Sequence, residues 1–173
     1  MKWLLLGLIL VVVLVLIVVA IGMMLPVQHS ASRTATFPTT PDRIWRLITD
    51  VDGFPSWRTG VKAIERLPPQ DGKAIWVEDT TSGRITLAVD RSEPPRLLVL
   101  RIADRDLPFG GTWTYEVTPT SEGTRLTISE NGEIYNPVFR FMARFIFGYE
   151  STMESYLEAL QARVASEEKH HGI

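Results

Sequence analysis

The chain has no cysteine in its 173 residues, which excludes disulfides, thiolate metal sites and a cysteine nucleophile. Histidine is nearly as scarce. Its three copies are His29, which precedes the first predicted strand, and His170 and His171 near the carboxyl end. The body between residues 33 and 166 therefore carries no imidazole, and Ser-His-Asp chemistry, His-rich metal sites and imidazole acid–base catalysis drop out. No cofactor is implied by what is left. A dominant charge is missing too: 18 Lys and Arg face 20 Asp and Glu, scattered without a basic stripe. A nucleic-acid partner needs an electrostatic footprint that this pattern does not supply.

What the chain does have is a long hydrophobic run. Trp3 to Leu25 is apolar throughout and is closed by Pro26. A helix needs about 20 such residues to cross the roughly 30 Å hydrocarbon core of a bilayer. Secretory signals have shorter apolar centres of about 7–15 residues, followed by a small-x-small cleavage site. The nearest such site, Ala20-Ile21-Gly22, lies inside the run. The expectation is an uncleaved single-pass anchor over residues 1–26 and a short polar tether over 27–32. Lys2 is the only charged side chain before the run and Arg33 the first after it, which predicts an amino terminus inside and a domain on the extracytoplasmic face.

The remaining residues, 33–166, suit one domain with its own core, followed by a disordered tail over 167–173. Arg33–Phe37 reads as a strand. Thr40 and Pro41 open a short helix with Ile44, Trp45, Leu47 and Ile48 on one face, and Phe54 and Trp57 then turn inward as core. Six strand-like runs follow between 61 and 135, separated by Pro-Pro, Asp-Gly, Ser-Gly and Glu-Gly turns. Ile85, Leu87 and Val89 alternate with polar neighbours, as do Trp113, Tyr115 and Val117, the mark of an antiparallel sheet with one wet face. Asn136 and Pro137 start a helix whose apolar positions from Val138 to Val164 recur at three and four, predicting one long helix. The fold class is α+β: a curved antiparallel sheet of about seven strands around a long C-terminal helix, with an N-terminal transmembrane helix in addition. A strongly curved sheet is not filled by one helix, so a cavity is expected between them.

This order resembles the START/polyketide-cyclase superfamily (SRPBCC proteins), which has the helix-grip fold. The resemblance covers about residues 33–166. It is carried by Pro41–Asp50 with Phe54-Pro55-Ser56-Trp57, by Pro94-Pro95-Arg96-Leu97, by Glu122–Leu126, and by the closing helix. It implies an apolar ligand held between helix and sheet in a family that ranges from lipid carriers to cyclases.

Cavity-lining candidates follow from inward parity. They are Trp76, Leu87, Trp113, Tyr115 and Ile128 on strands, and Phe141, Phe145 and Tyr149 on the long helix. Glu130 shares parity with Leu126 and Ile128, which aims a carboxylate inward unless a bulge at Asn131-Gly132 turns it out. Arg101 interrupts an apolar strand and is either a cavity ligand or a snorkelling sheet residue. Leu107-Pro108-Phe109 is a candidate flap. Phe139, Ile146 and Phe147 exceed what one buried helix face needs, leaving them for the short helices, a ligand portal or the bilayer surface. The leading expectation is non-catalytic binding of a hydrophobic small molecule or lipid by a membrane-anchored domain. The alternatives are a cyclase- or aromatase-like enzyme using Tyr115, Glu130 or Arg101, and a module that docks on another membrane protein.

Overall fold

A computed structural model describes residues 2–171. Helix α1 (Lys2–Met24) is followed by β1 (Gln28–Phe37), α2 (Pro41–Thr49) and a 3₁₀ turn (Val51–Ser56). Six strands come next: β2 (Val61–Gln70), β3 (Lys73–Thr80), β4 (Gly83–Glu93), β5 (Leu97–Ile102), β6 (Phe109–Thr120) and β7 (Gly123–Ile134). The chain closes with α3 (Pro137–Met142), a π-helical turn (Ala143–Phe147) and α4 (Ser151–His171).

The strands form one antiparallel sheet in the order β1-β7-β6-β5-β4-β3-β2. Each consecutive pair from β2 to β7 is a neighbour, as tight turns dictate, and β1 closes onto β7. This is the helix-grip α+β architecture. Met153, Tyr156, Leu157, Leu160 and Val164 of α4 recur at helical spacing and are buried against Phe37, Ile44, Ile48, Phe54, Leu126 and Ile128. Each fully buried side chain of this size is worth about 1.5–3 kcal/mol. Trp57 bridges the 3₁₀ turn to α4, with its ring edge-on to Phe54 and Tyr156 at 5.6 and 5.4 Å.

Three expectations are corrected. The tether of 27–32 does not exist as a free segment. β1 begins at Gln28, because β7 runs on to Ile134 and its far end pairs Gln28 with Glu133. The single long helix is interrupted: after the π turn the chain leaves helical geometry at Gly148 (φ 74°), a conformation that costs a side chain-bearing residue steric strain. Phe145, Ile146 and Phe147 are consecutive apolar residues that no single helix face can bury together. The tail does not fray at Glu167. Its carboxylate accepts from Arg43 at 2.8 Å and forms an ion pair with Arg163 at 2.7 Å, and α4 continues to His171. The last two residues of the expected tail lie outside the described residues.

α1 is long and apolar enough to cross a membrane and is not buried by the rest of the protein. Its carboxyl end is nonetheless fixed to the domain. Gly22 is buried against α3, where a Cβ would collide with the carbonyl group of Pro137. Nη1 of Arg140 donates to the carbonyl oxygen of Leu25 at 2.8 Å.

Candidate functional site

Between the concave sheet face and the α3–α4 segment lies a cavity of about 550 Å³, well within the roughly 300–1,000 Å³ typical of small-molecule sites. Its floor is apolar, from Ile85 and Leu87 on β4, Leu100 and Ile102 on β5, and Trp113 and Tyr115 on β6. Its roof is Phe139, Met142, Ala143, Phe147 and Tyr149. β6 starts at Phe109, three residues earlier than its sequence pattern suggested, so Phe109 and Gly110 sit in the wall instead of in a free flap.

Two polar pairs interrupt this lining, at opposite margins of the sheet. On the β2–β3 side, Nη1 of Arg58 lies 2.7 Å from Oε1 of Glu78, which also accepts from the Trp76 indole at 3.3 Å. The Arg58 guanidinium stands 4.6 Å from the centre of the Phe54 ring and 5.1 Å from that of Tyr156. Burial opposes its charge, yet the Glu78 carboxylate holds its pKa above the ordinary value. Tyr115 and Tyr156 pack beside this pair with ring centres 5.6 Å apart, and burial raises both phenols above their usual range.

On the β1–β7 side, Nε2 of His29 stands 3.6 Å from Oε1 of Glu130, too far for a hydrogen bond. The imidazole stacks on Tyr149 with ring centres 4.1 Å apart. Gly132 faces His29 across β1 and β7, and a Cβ there would strike the imidazole. Burial lowers the His29 pKa and raises that of Glu130, the latter partly offset by the Trp113 indole hydrogen bond. Both groups are therefore driven toward their neutral forms. Nδ1 of His29 is buried without a hydrogen-bond partner. His29 and Glu130 thus line the cavity as groups without a hydrogen bond to each other, an arrangement suited to a ligand hydroxyl or carbonyl.

Of the ten residues proposed from sequence, Leu87, Trp113, Tyr115, Glu130 and Tyr149 line this cavity together. β6 and β7 pair without a bulge through Asn131-Gly132, so Glu130 keeps the inward parity of Leu126 and Ile128. The others lie elsewhere. Trp76 is core, beside a separate cavity of about 390 Å³ shared with Ile48, Val89 and Leu98. Ile128 is completely buried among core residues, off the cavity wall. Phe141 is half-buried and packs on Phe145 at 5.0 Å, whereas Phe145 is exposed, and the cavity roof is taken by Phe139, Met142 and Phe147 instead. Arg101 is exposed on the outer sheet face, since Leu98 and Leu100 take the inward positions of β5, and its Nε pairs with Asp90 at 3.2 Å.

Three of the four residues that make the polar pairs escaped the sequence reading. Glu78 could have been found, because it shares strand parity with Trp76 as Glu130 does with Ile128. Arg58 follows the 3₁₀ turn and no local pattern aims it inward. His29 was assigned to a tether, and only the pairing of β1 with β7 brings it into the domain, so the exclusion of imidazole from the body does not hold.

Residues 28–165 match the family described as polyketide cyclase / dehydrase and lipid transport, and the chain belongs to that family. No curated protein sequence matches it. Its fold is similar to the di-domain aromatase/cyclase StfQ from the steffimycin biosynthetic pathway (TM-score 0.65, 16% identity), covering 85% of this chain and 53% of that one. This chain thus spans about half the length of StfQ. It is also similar to the Zhui aromatase/cyclase from Streptomyces sp. R1128 (TM-score 0.64, 13% identity, 80% and 94% covered). A START superfamily protein from Mycobacterium smegmatis is a further likeness (TM-score 0.61, 16% identity, 80% and 98% covered). At these identities the likeness concerns fold alone.

Proposed function

We propose that this protein is held at a membrane by α1 and binds a hydrophobic small molecule or lipid, without catalysis, in the cavity between sheet and helices. The observation that carries this reading is the cavity itself: about 550 Å³, mostly apolar, with buried polar pairs at two margins. The ligand class it fits is an elongated or fused-ring apolar molecule with one hydroxyl or carbonyl group, which would meet His29 and Glu130. The domain lies outside the cytoplasm, following the charge asymmetry around α1. Trp113 offers a reporter. Full-length protein in nanodiscs, titrated with fatty acids, phospholipids, sterols and fused-ring aromatic polyketides, should show saturable quenching of tryptophan fluorescence with at least one class. Absence of binding to all four would overturn the reading.

One observation favours an enzymatic second reading. His29 and Glu130 are an acid–base pair inside an apolar cavity, and Brønsted behaviour makes such a neutral pair competent for proton transfer during ring closure or dehydration. The cyclase reading no longer has Arg101, which faces away. Its test is turnover of a poly-β-carbonyl thioester followed by product mass spectrometry. Cyclised product that disappears in Glu130→Gln and His29→Asn would establish it over simple binding.

A further inference from the structure

Outside α1, every large apolar side chain described as exposed falls in one small region: Val27, Tyr135, Phe139, Phe145, Ile146 and Phe147. Phe145, Ile146 and Phe147 are 58, 59 and 63% exposed among the described residues. Single exposed apolar residues are ordinary on soluble proteins; a run of three bulky ones beside two more aromatics is not. We propose that the α3 segment and its π turn are embedded in the interfacial region of the same leaflet into which α1 runs, so that the roof of the cavity is in contact with lipid. This rests on the reading of α1 as a membrane span.

Four observations place the segment there. The first is distance. α1 has 23 residues and is about 34 Å long, close to the roughly 30 Å hydrocarbon thickness. Gly22 therefore lies near the membrane boundary, and Pro137 packs directly on it. The second is rigidity, because Arg140 grips the carbonyl of Leu25 and β1 begins at Gln28, which leaves no slack to swing the domain away. The third is charge. Arg140 and Arg144 are the only charged residues between Pro137 and Gly148, and cations flanking aromatics suit a headgroup layer of anionic lipid. The fourth is continuity with the cavity: Phe139, Met142, Ala143 and Phe147 contribute to its roof, Pro137 and Arg140 hold the segment to α1, and Phe145 and Ile146 are left exposed beside them.

The absence of cysteine makes the test clean, since every introduced thiol is unique. Phe145→Cys, Ile146→Cys and Phe147→Cys would each be nitroxide-labelled in the full-length protein. Leu10→Cys in mid-α1 and Glu122→Cys at the distant β6–β7 turn serve as references. All would be placed in nanodiscs of phosphatidylcholine and phosphatidylglycerol. Electron paramagnetic resonance then compares collision with oxygen, enriched in lipid, against a water-soluble nickel complex. The expected result is several-fold lower nickel accessibility at 145–147 than at 122, at a depth shallower than residue 10. Nickel accessibility at 145–147 equal to that at 122, with residue 10 deep in lipid, would overturn the embedding while leaving the anchor intact. An aqueous residue 10 would overturn both.

Discussion

The two polar pairs of the cavity are made of similar parts and behave as opposites. Arg58 and Glu78 touch at 2.7 Å, Glu78 also accepts from the Trp76 indole and Arg58 sits between aromatic faces, so each finds its partners within the protein. His29 and Glu130 stand 3.6 Å apart, and burial pushes both toward neutrality. A satisfied buried pair serves the fold, because its charges need each other. A pair whose capacity is left open toward a cavity serves whatever enters it. The difference lies in completeness of hydrogen bonding and not in residue type.

The largest expected effect breaks the satisfied pair. Glu78→Ala leaves the Arg58 guanidinium buried without its carboxylate and should cost about 3–5 kcal/mol, read as a loss in thermal or denaturant stability in detergent. Arg58→Met with Glu78→Leu together should recover most of that loss, since an apolar pair of similar volume carries no stranded charge. The open pair should give the reverse pattern. Glu130→Gln or His29→Asn should change stability by less than about 1 kcal/mol while weakening a hydroxyl-bearing ligand about tenfold, the scale of one hydrogen bond between neutral groups. Isothermal titration with the ligand class identified by fluorescence checks this. Equal damage from both pairs would erase the distinction drawn here.

pH sharpens the same contrast. The raised Glu130 pKa means the folded protein keeps a proton that the unfolded chain has lost. Its contribution to stability is complete below the ordinary value of 4.5 and is lost as pH climbs through the higher folded value. The lowered His29 pKa acts in the opposite direction: stability is complete above 6.5 and is lost as pH falls through the folded value. Unfolding measured from acid to neutral pH should show wild type losing ground to Glu130→Gln as pH rises above 4.5, and to His29→Asn as it falls below 6.5. The smallest effect is reserved for the exposed Arg101–Asp90 pair on the outer face. Arg101→Ala should change stability by less than about 1 kcal/mol and leave ligand binding unaltered.

Local chemistry made much of this molecule legible. The apolar run of α1, the Asn136 cap that accepts from the amides of Val138 and Phe139, and the turn-punctuated strands are all short-range signals. Strand parity likewise aimed Leu87, Trp113, Tyr115 and Glu130 into the cavity, because successive strand side chains must alternate faces. Arg101 stayed open between two readings since its strand is apolar at both parities, and only pairing with β4 and β6 decides which face is outer. Phe141 and Phe145 were misjudged because a helical pattern continues smoothly across a break that Gly148 permits but does not announce.

By itself, then, the sequence determined the apolar N-terminal helix, the antiparallel meander and the closing amphipathic helix, all of which follow from periodicities within about a dozen neighbouring residues. Tertiary structure alone decided which pair is closed and which is open. His29 meets Glu130 only because β1 travels the length of the chain to pair with β7, and Arg58 meets Glu78 only because β2 folds back on β3. It also decided that α1 is clamped to α3 at Gly22 and Arg140 instead of hanging on a tether. Contacts between residues a hundred positions apart leave no periodic trace in the chain, since they depend on register and packing that exist only once the sheet has closed around its helix.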